Sequence, residues 1–138
     1  MSEENVEELL KRAYIFCIDH SHIILPVVHS YLEERGKIIR AWYKQLNKKF
    51  LLAVIALGLL GFPVNTHNVS FLIHDVLHWP RHRVTTNIAI KLSMYCSYGV
   101  LVYAKAYKKM KIYYLNPELR KQILGVLGSR ASKILLGK

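Results

Sequence analysis

The sequence predicts an all-α protein, with a kinked amino-terminal helical arm at residues 1–50 followed by a carboxy-terminal helical bundle at residues 51–138. Three observations favour this fold class. Apolar residues recur at helical spacing along most of the chain, proline and glycine interrupt that spacing at a few positions, and no internal repeat is visible. With 138 residues, 52% of them apolar, the chain is long enough for one domain with a substantial core.

The arm opens with acidic residues that favour a helix start. Ser2 precedes four glutamates within six residues, and acidic side chains in a first turn complement the helix dipole. We predict a helix over 3–24. Because proline lacks an amide donor and clashes with the preceding turn, Pro26 is expected to bend or interrupt it. A second helix over 27–35 is expected to end at Gly36.

A regular cationic stripe follows this arm. Lys37, Arg40, Lys44 and Lys48 fall within an arc of about 80° on a helix, with no acid among them. A merely solvated face, which is the alternative, more often mixes glutamate with lysine at i,i+4 spacing. We therefore interpret the stripe as a surface for phosphate groups.

The run from Phe50 to Val64 carries no charge. A membrane-spanning helix needs about 20 apolar residues, and this run of fifteen contains Gly58, Gly61 and Pro63. We predict a core helix. The alternative is a small membrane-associated protein that inserts this run and places its lysines on anionic lipid headgroups.

Three histidines follow, two on a short helix predicted over 69–79 and one just beyond it. His74, His78 and His82 are spaced i, i+4, i+8 beside Asp75, which raises the question of a metal site. Pro80 interrupts that register and acids are scarce, so we predict no metal and no cofactor. Capping, packing and contact with phosphate are the other roles open to these histidines.

Two arginines, Arg81 and Arg83, form a predicted cationic corner ahead of a long helix. If 91–114 is that helix, then Lys91, Tyr95, Tyr98, Lys105 and Lys109 share an arc of about 80°. The set of Tyr103, Tyr107, Met110 and Tyr114 lies roughly 120° away and is predicted to pack on the core. An ordinary helix with a solvated lysine face is the alternative.

The last predicted helix has clear end signals. Asn116 suits the N-cap, Pro117 the first helical position, and Glu118 complements the dipole. Gly128 is expected to close the helix. Its predicted apolar face consists of Leu119, Ile123, Leu124, Val126 and Leu127.

The charge is distributed unevenly. Residues 1–34 have a net charge of −5 and residues 35–138 a net charge of +16, giving +11 in all. Such a surface points to a polyanionic partner, either nucleic acid or an anionic membrane. The acidic start is unlike a signal peptide, so no secretion is expected. Cys17 and Cys96 are predicted to be buried free thiols, with a disulfide as the alternative.

The two stripes predict sequence-independent binding of nucleic acid. Cations one helical turn apart, about 5.4 Å, can follow a row of phosphates and release counterions. No phosphate-binding glycine loop and no nucleophile–base–acid trio is present, so a non-enzymatic protein is predicted. The predicted DNA contacts are Lys37, Arg40, Lys44, Lys48, Arg81, Arg83, Lys91, Tyr98, Lys105 and Lys109.

The carboxy-terminal segment also carries a resemblance. Tyr113-Tyr114, Asn116-Pro117-Glu118 and the helix ending Leu127-Gly128-Ser129, together 17 of the 138 residues, resemble the end of the major coat proteins of rod-shaped and filamentous archaeal double-stranded DNA viruses, the rudivirus, lipothrixvirus and tristromavirus group. The amino-terminal two thirds contain no matching motif.

This resemblance implies an all-helical coat protein of a helical virion, assembled in the host cytoplasm. Its arm would wrap linear DNA held in A-form, and shape and backbone contacts suit that geometry. The partner would be a second copy or a related chain, forming a homodimer or heterodimer. The high apolar content fits an enveloped member of the group, in which part of the bundle faces lipid.

Overall fold

The uncharged run Phe50 to Val64, predicted to form a core helix, forms one from Phe50 to Leu59. The computed structural model of the chain describes residues 3–36, 45–80 and 88–135. Its helix α3, Gln45–Leu59, is buried at every position from Phe50 to Leu59. The Arg120 guanidinium donates to the Leu59 carbonyl across 2.8 Å, which satisfies an acceptor at the helix end.

The other elements surround α3. They are α1, Glu3–Asp19; α2, Ser21–Glu34; α4, Thr66–Ser70, continued by a π-helical turn at Phe71–Val76; α5, Ile88–Ser97; β1, Leu101–Tyr107; β2, Met110–Leu115; α6, Pro117–Leu127; a 3₁₀ turn at Gly128–Ala131; and α7, Ser132–Leu135. Helix α1 and strand β2 contact α3, and α2 contacts α6.

The first two helices meet at a bend of 79°. The prediction of one helix over 3–24 broken at Pro26 was wrong, because the break lies at His20, whose backbone leaves the helical region at φ −109°, ψ 19°. The His20 ring hydrogen-bonds the Phe16 carbonyl at 2.8 Å. Pro26 is exposed inside α2, where its ring faces solvent. Gly36, at φ +70°, follows the end of α2 as predicted.

The all-α prediction was wrong because the segment predicted as one helix over 91–114 divides into α5 and a β-hairpin. Gly99 has φ +88°, a left-handed conformation that glycine adopts without strain. The following residues are rich in β-branched and aromatic side chains, which favour strands. Strands β1 and β2 pair antiparallel, with a bulge between Tyr103 and Lys105.

The base of the hairpin is fixed to the core. Tyr113 and Val64 exchange two backbone hydrogen bonds, of 2.7 and 2.9 Å. Leu101, Tyr113 and Leu115 are buried. Strand β2 approaches α3 closely at Gly58, where a Cβ would overlap the Leu115 side chain. The distal hairpin, from Tyr103 to Lys109, is exposed.

The predicted ends of α6 are confirmed. The Asn116 side chain accepts from the Glu118 amide at 3.0 Å, Pro117 begins the helix, and Gly128, at φ +59°, follows its last residue. Leu119, Ile123 and Leu127 are buried and Leu124 is half-buried. Val126 was wrongly assigned to the apolar face: it is 53% exposed.

Helix α4 begins earlier than predicted. The Asn65 side chain accepts from the Asn68 amide at 2.7 Å, so the predicted turn at 65–68 includes an N-cap and the first residues of the helix. The helical path ends at Val76, and His78 follows with φ +59°. The helix predicted over 69–79 is therefore shifted towards the amino terminus.

The two cysteines are free. Cys17 is fully buried, as predicted, and burial raises the pKa of its thiol from 9.0 to about 12. Cys96 is only partly buried.

Candidate nucleic-acid interface

The hairpin presents four lysines and no acid. Lys105 lies on β1, Lys108 and Lys109 form the turn, and Lys111 lies on β2; all four are exposed. From Val76 onward the sequence contains a single acidic residue, Glu118. The positive charge of the hairpin is therefore opposed by little negative charge in the second half of the chain.

The turn itself has an unusual sequence for its conformation. Lys108 and Lys109 have φ +47° and +69°, so both central residues of this two-residue connection are left-handed. Asparagine and glycine are preferred at such positions, because a Cβ is strained there. The turn thus holds two cations at the outermost point of the hairpin at a cost in backbone strain.

The strand register divides the hairpin side chains between two faces. Leu101 pairs with Leu115 and Tyr103 with Tyr113 on the face that covers the core. Side chains alternate along a strand, and paired residues share a face. The outer face therefore contains Val102, Lys105 and Tyr107 of β1 and Met110, Ile112 and Tyr114 of β2.

Three hairpin tyrosines are exposed, although Tyr103, Tyr107 and Tyr114 were predicted to pack on the core. Their exposed fractions are 52%, 57% and 39%. The prediction assumed a helix, and in the hairpin these side chains lie beyond or outside the buried base. The Lys108 ammonium is 5.5 Å from the centre of the Tyr107 ring. Aromatic rings and cations are thus adjacent on a solvent-facing ribbon.

A cleft of about 280 Å³ separates the hairpin tip from α5. Lys109 and Lys111 line one side, and Ile90 and Ser93 of α5 line the other. Ile90 is 67% exposed. The cleft places two lysines opposite the exposed Ile90 side chain. This arrangement suits a ligand that carries an anionic group next to a flat or apolar group.

Hydrogen bonds fix the point where the chain enters β1. The Gly99 carbonyl accepts from the Tyr31 hydroxyl and from the Asn116 side-chain amide, each at 2.9 Å. The Asn116 backbone amide donates to the Val100 carbonyl at 2.9 Å. These contacts join α2, the hairpin and the start of α6, so the exposed ribbon projects from a fixed base.

The prediction of one cationic stripe over 91–109 was wrong, because its residues do not lie on one surface. Lys91 is half-buried on α5, with its ammonium 5.0 Å from the centre of the Phe50 ring, and desolvation lowers its pKa. Tyr95 is only 2% exposed, and burial raises its pKa. Tyr98 is half-buried beyond the end of α5. Of this predicted set, only Lys105 and Lys109 lie together on the hairpin.

Three of the four members of the first predicted stripe lie outside the described residues: Lys37, Arg40 and Lys44. The same holds for Arg81 and Arg83. Lys48 is half-buried near the start of α3. The stripe at 37–48 therefore stays a prediction.

Sequence reasoning missed Lys108 and Lys111 as members of the interface. A period-two signal was present: Tyr103, Lys105, Tyr107, Lys109, Lys111 and Tyr113 occupy every second position. Such alternation is typical of a strand. Gly99 also marked a break before it.

The histidines do not form a metal site within the described parts of the chain, where no group of three or more metal-ligating side chains occurs. His74 is buried, and its Nδ1 lies 3.2 Å from the Trp79 carbonyl. His78 is exposed, and His82 lies outside the described residues. His74 lies within the π-helical turn, and the helical path ends at Val76, before His78. The spacing i, i+4 therefore does not place the two histidines on one helix face.

No single helix in the described ranges is both long and apolar enough to cross a bilayer, although α1 from Val6 and α2 pass that test as a bent pair. The membrane alternative requires the run Phe50 to Val64 to insert into lipid. In the structure, residues Phe50 to Leu59 of this run are buried in the protein core.

Comparisons with protein-family models, with curated proteins and with solved structures found no match to this chain.

Proposed function

We propose that this protein binds nucleic acid through its phosphate backbone without reading sequence, with double-stranded DNA as the main partner. The observation that carries the proposal is the exposed hairpin with four lysines, no acid and two cations at its tip. Lysine is a point charge that contacts phosphate without fixed geometry. Such contacts hold a backbone and carry no sequence information.

The shape of the hairpin supports the same proposal. A two-stranded antiparallel ribbon fits the B-DNA major groove, which is about 12 Å wide. It does not fit the deep, narrow major groove of an A-form duplex, so the hairpin favours B-form DNA over the A-form that the resemblance implies. The tip would enter first, since Lys108 and Lys109 extend furthest from the anchored base. The bulge between Tyr103 and Lys105 increases the local twist of the ribbon, which helps it follow a curved groove.

Few of the side-chain types that read base edges occur on this surface, where lysine, which can contact guanine, is the exception. Asparagine and glutamine are the residues that read adenine, and the hairpin, residues 101–115, contains neither. Asn65 and Asn116 cap helices, and the Gln122 amide donates to Glu118 at 3.3 Å. We therefore propose a non-enzymatic, sequence-independent role.

The resemblance at the carboxy terminus suggests a biological setting for this binding. In our proposal, copies of the chain or of a related chain coat linear DNA in a helical virion. The all-helical fold that came with the resemblance is absent, and Tyr113-Tyr114 lies on a strand. Electron microscopy of protein mixed with linear duplex tests this setting separately: ordered filaments support a coat, and isolated bound molecules on DNA argue against one.

The binding proposal is tested by fluorescence anisotropy with two unrelated duplexes over a range of salt concentrations. We expect similar affinities for both and a steep loss with salt. Replacing Lys105, Lys108, Lys109 and Lys111 by glutamine should reduce the slope of log K against log salt by about 0.9 per lost contact. A matched control is Lys11→Gln, an exposed lysine that shares a cleft with Glu7, Glu8 and Asp75.

An unchanged salt slope in the four-lysine variant, or a loss equal to that of Lys11→Gln, would exclude the hairpin as the phosphate-binding element. Strong preference for one of the two duplexes would exclude sequence-independent binding.

A further inference from the structure

The outer face of the hairpin carries a tyrosine, a lysine and a second tyrosine in line. Tyr107 pairs with Met110 nearest the turn, Lys105 pairs with Ile112 in the middle, and Tyr114 pairs with Val102 nearest the base. Met110, Ile112 and Tyr114 alternate along β2, so all three pairs lie on one face. Tyr107 and Tyr114 are 57% and 39% exposed.

The spacing of these residues follows from strand geometry. From Met110 to Tyr114 is four residues at about 3.4 Å each, so the two tyrosines are separated by about 14 Å along the ribbon. Lys105 stands midway between them. This separation exceeds the span of one nucleotide, so two rings with a cation between them match two bases of an extended strand with one nucleotide between them, and a phosphate of that intervening stretch.

Room for a base exists beside the second ring. Tyr114 and Lys121 line an open cleft of about 560 Å³, together with Gly58, Gly61 and Leu124. Nothing lies within 4 Å of a Cβ added at Gly61, and Leu115 and Leu124 add apolar walls. A planar base could lie against Tyr114 in this cleft, with its phosphate near Lys121.

We propose that the outer face binds single-stranded nucleic acid, with unpaired bases one nucleotide apart stacked on Tyr107 and Tyr114 and a phosphate between them on Lys105. Every base has a flat aromatic surface, so stacking of this kind tolerates any sequence. Bases within a duplex are already stacked on one another and are not free to use these rings. This inference rests on the proposed function, because it assigns a ligand form to the same hairpin.

The experiment compares a thymidine homopolymer with a duplex, at one salt concentration, by fluorescence anisotropy. Each of Tyr107→Leu and Tyr114→Leu should lower affinity for the single strand roughly tenfold, as loss of one stacked base does. Affinity for the duplex should change less than about twofold. The salt slope should stay the same, because no phosphate contact is removed. Tyr107→Phe and Tyr114→Phe should retain binding.

Tyr103→Leu is the matched control, since Tyr103 is 52% exposed but lies on the opposite face, paired with Tyr113. Far-ultraviolet circular dichroism confirms that each variant is folded. The inference is overturned if the Tyr107 and Tyr114 variants lose single-strand affinity no more than Tyr103→Leu does, or lose duplex affinity equally. In that case duplex binding that still depends on the hairpin lysines leaves the proposed function standing, whereas duplex binding insensitive to them removes both.

Discussion

The hydroxyl of Tyr31 donates a hydrogen bond to the carbonyl of Gly99 across 2.9 Å, joining residues 68 positions apart. Tyr31 is only 1% exposed, and burial raises its pKa. The Arg35 guanidinium lies 3.5 Å from the centre of the Tyr31 ring. Because Gly99 is where the chain leaves α5 for β1, this contact ties the base of the hairpin to α2.

Removing this hydroxyl should destabilise the fold without affecting binding. Tyr31→Phe retains the ring but leaves the Gly99 carbonyl with Asn116 as its remaining described side-chain donor. We expect the free energy of unfolding to fall by about 1 kcal/mol, measured by urea denaturation. Tyr103→Phe, at an exposed ring, should change it by less than about 0.5 kcal/mol. Equal values for the two variants would show that the hydrogen bond contributes nothing.

Replacing the two lysines of the hairpin tip by Asn and Gly should stabilise the fold and weaken DNA binding. Replacing Lys108 by Asn and Lys109 by Gly supplies the residues that a left-handed two-residue turn prefers. Relief of strain should raise the free energy of unfolding by about 1 kcal/mol, while loss of two cations weakens duplex binding and lowers its salt slope by roughly 2.

The control for the tip replaces both lysines by glutamine, which removes charge and retains the strain. Its binding should weaken as much as that of the Asn-Gly variant, with stability near that of the wild type. If the Asn-Gly variant binds duplex as tightly as the wild type, the tip is a structural turn and not a phosphate contact.

Gly58 should resist substitution because β2 lies against it. A Cβ there would overlap the Leu115 side chain, so Gly58→Ala is expected to lower the free energy of unfolding by about 1 to 3 kcal/mol. Gly125 provides the comparison: it is exposed on α6, with nothing within 4 Å of a Cβ added there. Gly125→Ala should stabilise by up to about 1 kcal/mol. A neutral Gly58→Ala would mean that the hairpin does not pack on α3 as described.

Stability should decline at alkaline pH. Burial raises the pKa of Cys17 from 9.0 to about 12 and that of Tyr14 from 10.0 to about 12, with the nearby Cys17 as a second cause for Tyr14. Unfolded chains therefore release these protons at lower pH than the folded protein does. The stabilising contribution is complete below about pH 9 and is lost as the pH rises towards 12.

The decline can be measured by urea denaturation between pH 7 and pH 11. In Cys17→Ala one of the titrating groups is absent, so stability should fall less steeply between pH 9 and pH 11 than in the wild type. Identical slopes for the two proteins would contradict a buried, protonated thiol at position 17.

Local signals predicted some elements and failed at others for physical reasons. Asn116, Pro117 and Gly128 act through bonds within a few residues, so the ends of α6 were predictable. The hairpin depends on contacts distant in sequence, above all the bridge from Tyr113 to Val64. Its Lys-Lys turn lacks the usual Asn-Gly signal, and lysine and alanine favour helices, so the local pattern indicated a helix.

The candidate site was predictable in composition but not in arrangement. Lys105 and Lys109 were identified as phosphate contacts on a helix, and they lie on a hairpin instead. Lys91 was assigned to the same stripe, yet it lies on α5, which ends at Ser97 before the hairpin, and its ammonium lies over the Phe50 ring. A charge pattern alone does not say which side chains share a face until the backbone period is known.

The most direct test of the central claim is amide chemical-shift mapping by NMR during titration with a short DNA duplex. The largest changes should occur from Lys105 to Lys111 and should disappear when salt is raised. Changes concentrated in α1 and α2, with the hairpin amides unaffected at saturation, would contradict phosphate binding by the hairpin.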